Sequence, residues 1–290
     1  MSKELAVMIN VRDRPTELSM LLESLYYQSY QDFDIYILDD ASGTALNSYH
    51  FFNCMLNRLR CSNHNVFLKR TEFPHGVSKA RQTIVDWALE KDYKYLCRVD
   101  DDVVLEADFL ERLVNVINQG YDIASGVTPP MTGPTFIREP RMKVINQVML
   151  DEKGNHLANM DDCGMQYTDD VILPTHHFRS SALYKSEIHK KVNYLPTKLT
   201  LHGFREEQIF SYKCLLAGFK IGVDTGAIAW HQLTPSGGER FPTQQEDIKF
   251  NQKIFEEFTR ENKDKLNEIF NKANKLDKLE LMKETNLLMK

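Results

Sequence analysis

Cysteine is scarce and scattered: Cys54, Cys61, Cys97, Cys163 and Cys214 are the only five in 290 residues, with no C-x-x-C pair and an odd total. A disulfide framework or a structural zinc site needs paired, closely spaced cysteines, so these read as reduced thiols. Long apolar runs are also lacking; none approaches the roughly 20 residues of a membrane-spanning helix. The opening "MSKELAVMINV" passes into strand-like sequence without a signal-peptide cleavage pattern, which predicts a cytoplasmic protein. Positive charge is not in excess. A net charge of -5 argues against a general polyanion binder, so no nucleic-acid partner is expected. No internal repeat is present. What the chain does have is 42% hydrophobic residues, enough for a sizeable core.

Those hydrophobics alternate between two periodicities. "LAVMINV", "FDIYILDD", "NVFLKR" and "YKYLCRV" are short apolar, strand-like runs. Between and after them, "TELSMLLESLYYQ", with Thr16 as its N-cap, "SKARQTIVDWALEK" and "ADFLERLVNVINQG" carry apolar residues at helical spacing. Strands alternating with helices predict parallel crossovers and an α/β sheet covered on both faces. From Thr128 to Thr175 the pattern breaks into a long irregular excursion rich in Pro, Gly, Asp and Asn. Regularity returns in "FREEQIFSYKCLLAGF", a helix stopped by Gly218, and in "KIGVDTGAIAWH", a strand and turn. The expected organisation is one catalytic domain over 1–243, with 128–175 as its variable part, and a charged helical extension over 244–290. Ile248, Phe250, Ile254, Phe255 and Phe258 recur at helical intervals in that extension, which is read as a helical tail with no second core.

In open α/β sheets ligands bind at the carboxyl ends of the strands. Asp39 and Asp40 close the second predicted strand and Asp100, Asp101 and Asp102 the fourth, so two acidic clusters should face one crevice. Carboxylate oxygens suit Mg²⁺ or Mn²⁺, and a D-x-D can hold a metal-bound diphosphate whose oxygens complete the coordination. Alternate side chains share a face along a strand, so Asp100 and Asp102 should converge while Asp101 points away. Solvated turns and capping of "DDASG" are the plainer roles for the same acids.

Several ordered motifs resemble family 2 glycosyltransferases of the GT-A fold: "NVRDRP", "YYQSYQDFD", "LDDAS", "GVSKARQ", "VDDDVVLEADFLERL" and "FREEQIFSYKCLLAGFKI". The likeness runs from about residue 5 to 231, with 128–175 largely unmatched. It implies a Rossmann-like nucleotide-diphospho-sugar transferase with a mixed, mostly parallel sheet flanked by helices. By the same resemblance Asp102 is the direct metal ligand, with Asp100 close to the donor ribose or the metal. His231, after the strand-like "GAIAW", joins the metal. Asp40 accepts a hydrogen bond from the nucleobase, supported by Asp39, with Asn10 near the base and Arg81 close to the nucleotide. Glu207, where the family usually has Asp, is the general base that removes the acceptor's proton. Acids at a helix N-terminus also complement its dipole, which is the alternative for Glu206 and Glu207. The Gly-rich "QLTPSGGERFPTQ", with Arg240 available for phosphate, is either a lid over the donor or a plain connector.

The implied activity is a metal-dependent, inverting transfer of a sugar from a nucleotide-sugar, with UDP-sugar as the modal donor, to a hydroxyl of a glycan or glycolipid acceptor. The implied cofactor is Mn²⁺ or Mg²⁺, and a His231 ligand tilts the choice toward manganese. A sugar-phosphate nucleotidyltransferase is the rival enzyme, but its Gly-rich basic opening loop is absent. A catalytically silent nucleotide- or glycan-binding protein of the same fold is the rival from another class. The tail leaves peripheral contact with a membrane surface open, although its mixed charge looks more like a solvated helix or an oligomer contact.

Overall fold

The computed structural model describes residues 3–132, 137–140, 143–146, 148–156, 162–238 and 244–272. Arg240, the second half of the predicted lid and the last 18 residues of the tail lie outside these. Among the described residues eleven strands and seven α-helices follow one another as β1 (Leu5–Val11), α1 (Pro15–Tyr26), β2 (Phe33–Asp39), α2 (His50–Cys61), β3 (Val66–Arg70), α3 (Val77–Ala88), β4 (Tyr95–Asp100), β5 (Val103–Leu105), α4 (Phe109–Asn118), β6 (Ile123–Val127), β7 (Ile137–Arg138), β8 (Gln166–Tyr167), β9 (Ile172–Pro174), β10 (Ala182–Lys185), α5 (Glu206–Leu216), β11 (Ile221–His231), α6 (Gln244–Glu261) and α7 (Lys263–Lys272).

The main sheet has the order β3-β2-β1-β4-β10-β6-β11-β5, with β9 also pairing β11. Strands β3, β2, β1 and β4 are parallel, and β10 is inserted antiparallel to both β4 and β6. The sheet is therefore α/β, as the alternating pattern predicts, and mixed, as the family resemblance implies. Period-two alternation sorts its side chains into two layers. Leu5, Val7 and Ile9 of β1 pack with α1, α2 and α4, while Ala6 and Met8 pack with α3, α5 and the C-terminal helices. In α1 the core-facing residues are Leu18, Leu21, Leu22 and Leu25, the i, i+3, i+4, i+7 stripe of an amphipathic helix.

Three local readings need correction. Helix α1 begins at Pro15, so Thr16 is its second residue; Arg14 stands at the N-cap, with no side-chain cap bond. Proline favours the first helical position because the missing N–H is one the helix would leave unpaired there. Helix α2 was not anticipated, although Phe52, Leu56 and Leu59 form its buried stripe among polar residues. The expected strand and turn over 220–231 is one strand, β11, whose register against β6 shifts between Val223 and Ile228 and whose end turns to pair with β5. Phe255, Leu266 and Phe270 are buried in the same core as α3 and α5, whereas Phe250 is exposed. Among the described residues no helix is long and apolar enough to cross a membrane.

Candidate active site

The parallel register brings the predicted acids to one edge. Asn10 pairs with Leu38 and Asp100, and Val11 with Asp39, so the ends of β1, β2 and β4 are level. A cavity of about 240 Å³ opens there. Its lining includes Asn10, Asp40, Arg81 and Asp100 to Asp102, together with Arg12, Arg14, Arg98, Tyr194 and His202. Apolar side chains of α3 (Val77, Ala80, Ile84) form the opposite wall.

Each acidic group reaches this edge with different partners. Asp39 accepts the Ser42 N–H at 2.9 Å and lies 3.5 Å from Arg70. Asp40 is buried and accepts the backbone N–H groups of His75 (2.9 and 3.0 Å) and Gly76 (3.1 Å) and the Thr71 hydroxyl (3.0 Å). The pair thus secures the loops that follow β2 and precede α3. Gly76 is required at that point: its φ is +75°, and a Cβ would stand 2.6 Å from the Leu201 backbone.

The triplet departs from the strand-alternation argument. Strand β4 ends at Asp100 and the next two residues form a turn, so period two no longer applies. Asp101 does not point away; its Oδ1 lies 2.8 Å from Arg14 Nη1, and Asp102 Oδ2 lies 2.9 Å from the same nitrogen. Two adjacent buried carboxylates need a shared counter-ion, and Arg14 supplies it. Burial pushes the Asp101 carboxyl up to about 7, against the pull of Arg14 and with the repulsion of Asp102. Asp102 Oδ1 faces His231 Nε2 at 3.3 Å. Burial works against the imidazolium, but Asp102 and then Asp100 outweigh it and raise the His231 pKa.

Asp100 belongs to a second cluster, centred on two arginines. Its Oδ1 is 3.1 Å from Arg81 and 3.8 Å from Arg98. Although burial opposes its charge, Arg81 and then Arg98 hold its pKa below the usual carboxylate range. Arg81 also pairs with Glu206, and Arg98 Nη2 donates to Glu207 Oε1 at 2.6 Å. The Ser180 N–H donates to that same oxygen at 3.1 Å. Ion pairs and hydrogen bond all fall on Oε1, and the Glu207 side chain is 26% exposed where Glu206 is 4% exposed. Burial raises the Glu206 pKa despite Arg81 and Arg98. The two glutamates therefore differ: Glu206 is locked between arginines, and Glu207 has an open side. Neither Glu207 nor His231 lines the cavity itself; each touches a residue that does, Arg98 and Asp102 respectively.

Sequence reasoning missed Arg14 and Arg98. A signal existed for Arg98, which stands amid the apolar "YLCRV" of a strand buried on both faces and so must have acidic partners. Arg14 precedes Pro15 at a helix start and offered no such clue.

Residues 6–183, more than half of the chain, match the sequence pattern of glycosyl transferase family 2. The chain belongs to that family. The match ends before Glu206, Glu207 and His231, so membership by itself assigns them nothing. No curated protein matches the sequence significantly. Among solved structures, the family 2 chain is similar to S. aureus TarS 1-349 in complex with UDP-GlcNAc, with a TM-score of 0.59, 13% identity and coverage of 93% of this chain and 72% of that one. It is similar to GalNAc-T7 with UDP, GalNAc and Mn²⁺, with a TM-score of 0.59, 15% identity and coverage of 83% and 45%. In other TarS structures it spans 60% of the 1-349 chain and 37% of the longer chain. Identities this low speak for the fold, which is that of GT-A glycosyltransferases.

The donor set can be tested against a divalent cation. Among the described residues no group of three or more His, Cys, Asp or Glu side chains is arranged to hold a metal. Asp102 and His231 are a carboxylate oxygen and an imidazole nitrogen facing each other at one point. One or two protein ligands suffice where substrate phosphates supply further oxygens, so this pair fits a diphosphate-bound Mn²⁺ or Mg²⁺. Asp100, expected beside them, is taken up by the arginines.

Proposed function

We propose that this family 2 chain is a metal-dependent, inverting glycosyltransferase. It moves a sugar from a nucleotide-sugar, with UDP as the favoured nucleotide, to a hydroxyl of a glycan or glycolipid acceptor. One observation carries the reading: the Asp102–His231 pair and the Arg98–Glu207 pair both border one cavity at the carboxyl edge of β2, β1 and β4. The UDP bound in the TarS and GalNAc-T7 structures supports the choice of nucleotide.

In this reading Asn10 and Asp40 face the nucleobase, Asp40 acting through the loop it holds as well as through its own oxygens. Arg81 lies along the nucleotide. Asp102 and His231 hold the cation, which when bound neutralises the diphosphate and stabilises it as a leaving group. Arg14 lines the same cavity beside Asp102 and would exchange that carboxylate for a phosphate oxygen. Glu207 accepts the proton of the acceptor hydroxyl as its oxygen bonds to the anomeric carbon. The bond from that carbon to the diphosphate oxygen breaks on the opposite face, and its electron pair leaves with the diphosphate. Arg98 and the Ser180 N–H fix Glu207 through Oε1 and leave Oε2 to take the proton.

The test is transfer or hydrolysis across a panel of nucleotide-sugars with Mn²⁺, followed by Glu207→Gln with the best donor. The variant keeps size and hydrogen-bonding capacity but cannot accept the proton, so turnover should fall by roughly 10²- to 10⁴-fold with UDP affinity unchanged. Wild-type turnover in a folded Glu207→Gln protein would exclude Glu207 as the base.

A further inference from the structure

Helix α6 lies beyond the family match, yet it touches the segment that carries Glu206 and Glu207 at three points. The first is Asn251, fully buried, whose Oδ1 accepts the Thr200 N–H at 2.9 Å and whose Nδ2 donates to Thr200 Oγ1 at 3.0 Å. The second is Gln252, whose Oε1 accepts from Arg205 Nε at 2.9 Å while its Nε2 donates to Glu256 at 2.9 Å. The third is Phe255, whose buried ring lies 5.0 Å beneath the Arg205 guanidinium.

Arg205 is an unusual residue to hold. It is the N-cap of α5 and sits in the left-handed region at φ 74°, where a non-glycine side chain is strained unless its surroundings over-determine it. The next two residues are Glu206 and Glu207. The turn leading into it is equally confined. The Leu201 carbonyl accepts the Val77 N–H at 3.0 Å, His202 lines the cavity, and a Cβ on Gly203 would stand 2.6 Å from the Val77 side chain. One face of α6 therefore presses residues 200–205 against the start of α3, whose next turn carries Arg81.

We propose that α6 is a positioning element of the catalytic site: Gln252, with Asn251 and Phe255, holds Arg205 in its left-handed conformation and so sets the direction in which Glu207 meets the acceptor. The role rests on the transfer reading above. It predicts an effect on turnover rather than on donor binding, because the contacts of α6 named above fall on residues 200–205 and not on Asn10, Asp40 or Asp102, the proposed nucleotide side of the cavity.

The experiment compares Gln252→Ala with the double variant Gln252→Glu, Glu256→Gln in the full chain. Gln252 is half-buried and polar, so Gln252→Ala removes the acceptor for Arg205 without opening the core. Expected for Gln252→Ala is a fall in kcat of about tenfold, with donor KM and calorimetric UDP affinity within about twofold of wild type. Amide exchange should accelerate across residues 200–208 alone. Gln252→Glu, combined with Glu256→Gln so that two carboxylates do not meet where Gln252 now donates to Glu256 at 2.9 Å, keeps the acceptor for Arg205 and should restore both kcat and exchange. Wild-type kcat with unchanged exchange at 200–208 would overturn the proposal, as would accelerated exchange spread over the whole chain with no recovery in the double variant. If the wild type turns over no nucleotide-sugar, the transfer reading fails separately. The exchange comparison then still decides whether α6 orders the α5 N-terminus.

Discussion

Two acidic clusters stand at neighbouring strand ends and look alike in sequence, yet their charges are balanced differently. Asp39 and Asp40 are satisfied mainly by backbone N–H groups of Ser42, His75 and Gly76. Asp100, Asp101 and Asp102 are satisfied by the side chains of Arg81, Arg98, Arg14 and His231. An amide donor is fixed by the fold, whereas a guanidinium on a flexible stem can turn to another anion. The first cluster therefore holds the loops at the rim of the cavity, and the second brings the side chains of Arg14, Arg81 and Arg98 to its lining.

The difference can be tested by removing partners one at a time. The largest effect on stability is expected for Arg98→Met, which takes the nearest cation from Glu207 and leaves the buried Glu206 with Arg81 alone, and should cost about 3–5 kcal/mol. Urea denaturation measures it, and a loss below about 1 kcal/mol would mean that Arg81 alone balances both glutamates. Asp40→Ala comes next. It deprives the His75 and Gly76 N–H groups of a charged acceptor and should cost about 1.5–3 kcal/mol, with weaker UDP affinity but an intact metal requirement. Unchanged stability would move Asp40 out of the class of loop-holding acids.

Two buried histidines with no carboxylate partner among the described residues provide the control for both clusters. Burial lowers His176 to about 3 and His189 to about 4. Both are thus neutral in the folded chain but bind protons in the unfolded chain below the usual value near 6.5. The unfolded state then binds more protons, so stability falls as pH drops from about 6.5 toward 4, by at most about 1.4 kcal/mol per pH unit for each group. Denaturant midpoints across that range should show the decline in wild type and a shallower one in His189→Phe. The smallest change in stability is expected for Asp102→Asn, within about 1 kcal/mol, because Arg14 keeps Asp101 and a like charge beside it disappears. Its metal-dependent UDP binding should nevertheless weaken. Unchanged calorimetric binding of UDP and Mn²⁺ would remove Asp102 from the metal assignment.

Most of the parallel half of the sheet was legible because β1, β2 and β4 are short apolar runs separated by segments of helical period, with Asn10, Asp39 and Asp100 at or near their carboxyl ends. Helix α2 escaped because its three core residues are diluted by Asn, Arg and Cys. The triplet was legible as a cluster but not in its internal geometry: the alternation rule holds only while the chain is a strand, and β4 ends at Asp100. Arg14 and Arg98 escaped for a related reason. Which cation meets an acid is decided by packing between segments far apart in sequence, Arg98 with Glu207 and Arg14 with Asp101, and no local pattern records it. The role of α6 was invisible on the same grounds, since its contacts with Thr200 and Arg205 depend on where the tail returns.

The segment after β11 is tied to the same arginine that balances the triplet. Arg14 Nε donates to the Ser236 carbonyl at 3.2 Å, the Gly238 N–H donates to the Arg12 carbonyl at 2.8 Å, and the Gln232 N–H donates to the Asp102 carbonyl at 2.9 Å. One side chain thus serves two equilibria, the charge state around Asp101 and Asp102 and the attachment of residues 232–238. Thermodynamic linkage makes such a coupling reciprocal. Any ligand that draws Arg14 away from the carboxylates loosens the segment by some free energy, and freeing the segment by mutation alters affinity for that ligand by the same amount.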